Sequence, residues 1–138
     1  MSEENVEIVR RVVEVNRQEM ERGEVGTWSD SEDLAEDFEW ITPPGLGLGT
    51  YRGREGFTEF MRTWTEHFED LSVELERLID AGDDRVVGLF RQTATGKGSG
   101  VPVELQMAVI YELEDGRVVR MRNYTDQAAA LEAAGLSG

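Results

Sequence analysis

The chain carries few groups suited to chemistry. Among its 138 residues there is no cysteine and one histidine. That composition excludes a disulfide framework, a thiol nucleophile, a thiolate zinc site and a His-rich metal set. No metal and no cofactor is implied. Two residues are candidates for moving a proton. His67 is one, because an imidazole titrates near neutrality. Its other reading is a partly exposed packing residue at the edge of a helix stripe. Asp126 is the acid nearest the end of the last strand candidate. It is either an acid/base group or, if strand alternation turns it away from Asn123, the cap of a tail helix. Arg91, in "VVGLFRQTAT", shares a strand face with Leu89 and Thr93. Turned inward, its guanidinium would hold a carboxylate or enolate oxygen. Turned outward, it would pair with an exposed Glu. Asn16 stands in the middle of an apolar helix stripe, where a buried amide must find a partner in a ligand or in the neighbouring backbone. Trp28, Trp40, Tyr51, Phe60 and Trp64 are core residues in the plain reading, and ligand-lining residues if the nearby Gly-rich loop is the lip of a pocket.

The elements that must position these groups are legible from periodicity. Residues 3–22 place Val6, Ile8, Val9, Val12, Val13, Val15 and Met20 in one wide stripe, with Glu3, Glu7, Arg10, Glu14, Arg17 and Glu21 opposite. Gly23 is the expected stop. Ser29-Asp30-Ser31-Glu32 offers capping chemistry for a short second helix through about Ala35. Phe38–Ile41 suits a first strand, and Pro43–Gly49 is a Gly/Pro loop. A long helix over 54–69 follows from Phe57, Phe60, Met61, Trp64 and Phe68 on one face. The period then changes to two. Strands are expected over 72–80, 85–95, 102–113 and 117–125, and a short helix over 127–134. Helices first and an antiparallel sheet afterwards define one α+β domain over 1–138, without repeats or a domain boundary.

The net charge is −15, and all of the excess lies in residues 1–84. Such a surface repels phosphate backbones, so no nucleic-acid partner is expected. The N-terminus is acidic and helical, unlike a signal peptide, and no apolar run approaches a membrane span. A cytoplasmic protein without membrane contact is the expectation.

Three stretches together resemble the SnoaL-like branch of the NTF2-like superfamily: "LAEDFEW" after the first helix, "GTYRGREGFTEFMRTW" at the second long helix, and "DGRVVRMRNYTDQAAALEAAGL" at the end. The resemblance implies a cone-shaped curved antiparallel sheet packed against N-terminal helices around a central pocket. It includes polyketide cyclases, ketosteroid isomerases and limonene epoxide hydrolases, so it constrains function weakly. Against the epoxide hydrolases, Arg91 falls at the central Arg of an Asp–Arg–Asp set. Thr93 and Asn123 fall where the two Asp would stand, and Trp40 and Thr42 near a Tyr and an Asn. Neither Thr93 nor Asn123 takes a proton from water at neutral pH. Against the steroid isomerases, the base falls near Thr42 and the oxyanion Asp near Ala108 or Val109, and neither can serve.

The leading expectation is a protein that binds a small, mostly apolar molecule without the family's catalytic carboxylates. Trp40, Phe60, Trp64, Leu105, Met107, Val109 and Met121 would form the walls. Asn16, Thr42, Arg91, Thr93 and Asn123 would supply polar contacts. The alternatives are an isomerase, lyase or cyclase acting on a carbonyl or polyketide-like substrate through His67 or Asp126, and an interaction or scaffold domain using Arg120, Arg122 and Tyr124. The resemblance further implies a homodimer paired through the outer sheet face.

Overall fold

A computed structural model describes residues 2–21, 32–43 and 48–136. In chain order the elements are α1 (Ser2–Glu21), β1 (Leu34–Ile41), β2 (Thr50–Arg52), α2 (Gly53–His67), β3 (Phe68–Gly82), β4 (Arg85–Gly96), β5 (Pro102–Glu114), β6 (Arg117–Tyr124) and α3 (Gln127–Ala133). The six strands form one open sheet in the order β2-β1-β6-β5-β4-β3. The last four strands are antiparallel, as alternation predicts. The sheet as a whole is mixed, because β1 runs parallel to β6.

The expected second helix is corrected at its end. Leu34 and Ala35 open β1, with Leu34 paired to Val118 and the Val118 N–H donating to the Asp33 carbonyl at 2.7 Å. The proposed cap at Ser29–Ser31 and the stop at Gly23 lie outside the described residues. Strand is favoured at Leu34 because Leu34 and Phe38 then bury their side chains on the inner face, 3 % and 0 % exposed. The three-residue β2 is too short to show a period.

The sheet owes its bend to irregular pairing. The register of β3 against β4 shifts at three places, between Glu69 and Ser72, Leu75 and Arg77, and Asp80 and Gly82. Bulges bend the strand that carries them and increase its twist. A further shift at Glu112/Leu113 pairs Leu113 with Val118 and Glu112 with Arg120, leaving Val119 as the extra residue. Val118, Met121 and Asn123 consequently all face inward and are buried.

α1 and α2 pack on the inner face. Val9 and Val12 of α1 and Phe57 and Met61 of α2 join Phe38, Val86, Phe90, Val109, Tyr111 and Met121 in the main core. Burying a ring such as Phe38 or Phe57 contributes about 1.5–3 kcal/mol. α2 begins at Gly53, whose φ of +66° suits glycine and whose added Cβ would sit 3.1 Å from the Glu36 carbonyl oxygen. α3 lies on the other face and completes a smaller cluster of Val87, Ile110 and Ala134 with Leu89, Leu131 and Leu136 packed around it. No helix among the described residues is long and apolar enough to cross a membrane.

Candidate ligand-binding cavity

Between the two long helices and the inner sheet face lies a cavity of about 140 Å³. An engineered apolar cavity of about 150 Å³ takes up benzene, so a single substituted ring is a fitting scale. The helical period of α2 turns Phe57, Phe60, Met61 and Trp64 into one wall. The period of two does the same for Phe90 and Gln92 on β4, and for Leu105, Met107, Val109 and Tyr111 on β5. Val12, Val13, Asn16 and Arg17 of α1 and Trp40 of β1 complete the enclosure, with Pro43 and Leu48 contributed by the loop. Asn123 and Thr125 sit at the β6 side.

The rings of the wall are mutually braced. Trp40 meets Phe57 edge-on at 4.8 Å between centroids, Phe60 lies 5.6 Å from Trp40, and Trp64 stacks on Phe60 at 6.1 Å. Tyr51 flanks Phe60 at 5.4 Å. Such contacts add about 0.5–1.5 kcal/mol per pair beyond area burial and hold the wall in shape.

Asn16 Oδ1, Trp64 Nε1 and Asn123 Oδ1 of this wall are buried without a hydrogen-bond partner among the described residues. An unpaired buried polar atom costs about 1–3 kcal/mol, which a matching group on a ligand recovers. The orientation of Asn123 is set by its own amide, because Nδ2 donates to the Ile41 carbonyl at 2.9 Å. Burial pushes the Tyr111 phenol well above its ordinary range, so it stays protonated at neutral pH. No Asp, Glu, His, Lys or Cys is among the described lining residues. Their one charged member, Arg17, is ion-paired with Glu14, its Nε 3.2 Å from Oε2. Among the described residues no cluster of carboxylates or histidine could hold a metal ion.

The structure sorts the residues singled out in the sequence. Asn16, Trp40, Phe60, Trp64, Met107 and Asn123 come together on the cavity, with Leu105 and Val109. Arg91 and Thr93 do not, and this corrects the inward reading of their strand face. Arg91 is exposed on the outer face, 2.7 Å from Glu74 and 3.8 Å from Glu104. Alternation carries Thr93 to the same side, and Gln92 takes the inward place. Thr42 is buried but turned into its own loop, its hydroxyl donating to the Gly49 carbonyl at 2.6 Å. Met121 is fully buried in the core and off the cavity lining. Trp28 lies outside the described residues.

Neither proton-transfer candidate reaches the cavity. His67 ends α2 in an exposed position, where its carbonyl accepts from the Lys97 N–H at 2.9 Å. Asp126 is the N-cap of α3, and its Oδ1 accepts from the amides of Ala128 at 2.9 Å and Ala129 at 3.3 Å. Arg17, expected opposite the apolar stripe of the first helix, instead borders the cavity, and Gln92 and Thr125 line it as well, while Glu19, 2 % exposed, is buried one helical turn beyond Asn16. The spacing of three from Asn16 was the available signal for Glu19.

A bent, open sheet with two helices laid across its inner face and a pocket between them defines the NTF2-like class of α+β proteins. Residues 9–121 match the SnoaL-like domain, and the chain belongs to that family. It is similar in structure to a protein of Jannaschia sp. CCS1 that carries the working name SnoaL-like polyketide cyclase. That likeness has 27 % identity, covers 99 % of this chain and 95 % of that one, and has a TM-score of 0.70. An NTF2-like protein of unknown function from Burkholderia pseudomallei is 24 % identical over 94 % of this chain and 95 % of its own, with a TM-score of 0.70. A Bacillus subtilis protein with the working name isomerase is 19 % identical over 98 % and 95 %, with a TM-score of 0.67. No curated protein matches the chain.

Proposed function

We propose that this SnoaL-like protein binds a small, uncharged, mostly apolar molecule in the cavity, and that binding needs no acid/base group of the chain. The observation that carries the reading is the pairing of an apolar wall with buried polar atoms that no group among the described residues satisfies, Asn16 Oδ1, Trp64 Nε1 and Asn123 Oδ1. The wall supplies burial, and those atoms supply orientation. Calorimetric titration with 4-nitroanisole, an uncharged single ring, tests it. Saturable binding with a negative heat-capacity change is expected. Met107→Trp, which fills the lining from β5, should abolish that binding in a folded protein. Absence of saturable binding, or undiminished binding in the folded Met107→Trp variant, overturns the reading.

A second reading, an isomerase or cyclase acting on a carbonyl compound, is favoured by the working name of the Jannaschia protein at 27 % identity. Under it, turnover of a ketone substrate falls in His67→Ala or Asp126→Ala. Under the binding reading both variants keep the wild-type affinity. Pairing of two copies through the outer sheet face belongs to the same proposal. Light scattering at micromolar concentration should report a dimer, and a monomer refutes that part.

A further inference from the structure

We infer that Asn123 makes the cavity selective for the protonation state of its ligand: Oδ1 takes the hydroxyl proton of a phenol, enol or alcohol, and the site refuses the conjugate anion. The inference rests on the reading of the cavity as a ligand site and goes on to name what that site recognises.

Asn123 is 2 % exposed on β6, opposite Val109 of β5. Its Nδ2 donates across the parallel β1–β6 pair to the Ile41 carbonyl at 2.9 Å, and at 3.5 Å to the Met121 carbonyl. Turning the amide over would set Oδ1 against the same carbonyls, acceptor against acceptor. The hydrogen-bond inventory of an amide therefore leaves Asn123 one free function, an acceptor. That oxygen is buried and has no hydrogen-bond partner among the described residues. A hydroxyl hydrogen satisfies it.

An anion cannot. A phenolate or enolate has no proton to give and would set its charge against the partial negative charge of a carbonyl oxygen. The cavity lining does not compensate. Val109 stands opposite Asn123 in the β5–β6 pair, and β5, β1 and the two long helices bring Tyr111, Trp40, Val12, Asn16 and Trp64 to the same cavity. The phenol of Tyr111 and Nε1 of Trp64 are neutral donors, suited to a carbonyl or ether oxygen of the same ligand. Neither offsets the desolvation of a full charge. The cation on the lining, Arg17, is engaged by Glu14.

The test titrates the full chain with 4-nitrophenol by calorimetry at pH values on either side of the phenol's own ionisation. Its methyl ether, 4-nitroanisole, which has neither proton nor charge, serves as the parallel probe. Affinity for the phenol should be constant in acid and fall about tenfold for each pH unit above its pKa, in proportion to the neutral fraction. Affinity for the ether should not change with pH. In Asn123→Leu, the phenol should bind about fivefold to tenfold more weakly and the ether no more weakly than before. Binding of the phenol that persists above its pKa overturns the inference, as does equal weakening of both probes in Asn123→Leu. If that variant fails to fold, the pH profiles of the unaltered protein decide. Failure of both probes to bind overturns the ligand reading along with this one. Ether binding beside a pH-independent phenol overturns this inference alone.

Discussion

Replacing Gly88 by Ala is a direct probe of how tightly the inner face of the sheet is packed against the cavity rings. Gly88 pairs with Val109 across the β4–β5 ladder. A Cβ built there would lie 2.8 Å from Phe90 Cε2, 3.1 Å from Phe90 Cζ and 3.2 Å from Tyr111 Cε2. The first distance is below any real carbon contact, so the two rings must move. Both line the cavity. Overpacking of this kind costs about 1–3 kcal/mol. Removing a strand glycine returns about 0.5–1 kcal/mol through the unfolded chain. The net expectation is a loss of about 1 kcal/mol, seen as a lower urea midpoint with unchanged slope and a melting temperature a few degrees lower. Displaced rings also intrude on the cavity, so affinity for 4-nitroanisole should fall in the same variant. A Gly88→Ala protein as stable as the parent or more so, with full affinity, would refute the packing argument.

Further outcomes follow from the contacts. Asp126→Ala removes the cap of α3 and should cost about 1 kcal/mol while leaving probe affinity unchanged; a loss of affinity would show that Asp126 reaches the ligand. Arg91→Ala should change stability by less than about 0.5 kcal/mol, because its ion pairs are exposed, and should leave affinity intact. Reduced affinity in that variant would put Arg91 back in the pocket. On the outer face Arg52, Glu39, Arg120, Glu112 and Arg122 alternate in sign. The Arg120 hydrogen bond holds Glu39 below the usual carboxylate range. For Glu112 burial pushes upward, but the hydrogen bonds from Arg122 and Arg120 outweigh it and the carboxyl is also lowered. A carboxylate lowered on folding stabilises the fold above its unfolded pKa, and that contribution is lost as pH falls through the folded value. Glu112→Gln should therefore be about 1 kcal/mol less stable at neutral pH, with the gap closing in acid. A gap that does not depend on pH would contradict the ladder.

Most elements were legible because their periods are strong. The α2 stripe of Phe57, Phe60, Met61 and Trp64 admits one buried face, and it is the face the structure buries against the cavity. The faces of β4 were not legible for a physical reason. Val86, Gly88 and Phe90 look inward, yet Val87 and Leu89 on the other side are apolar too, because α3 covers them. Hydrophobicity alone then cannot choose between Arg91 and Gln92 as the inward residue. On β6 the bulge at Val119 sets Val118 beside Met121 and Asn123, which strict alternation forbids. Asn123 faces the cavity from β6, but its role as a pure acceptor depends on the Ile41 carbonyl, 82 residues away in the chain. Asp126 shows the reverse case: its cap is local, and the run into Gln127–Ala133 displays it.

We propose that the space among Trp40, Trp64, Met107 and Asn123 is a ligand site. Crystals soaked in bromobenzene test it most directly, because the bromine locates itself by anomalous scattering. A bromine peak is expected inside that ring of residues, lost in Met107→Trp. A bromine found solely on the outer surface, with the interior unchanged after soaking, would contradict it.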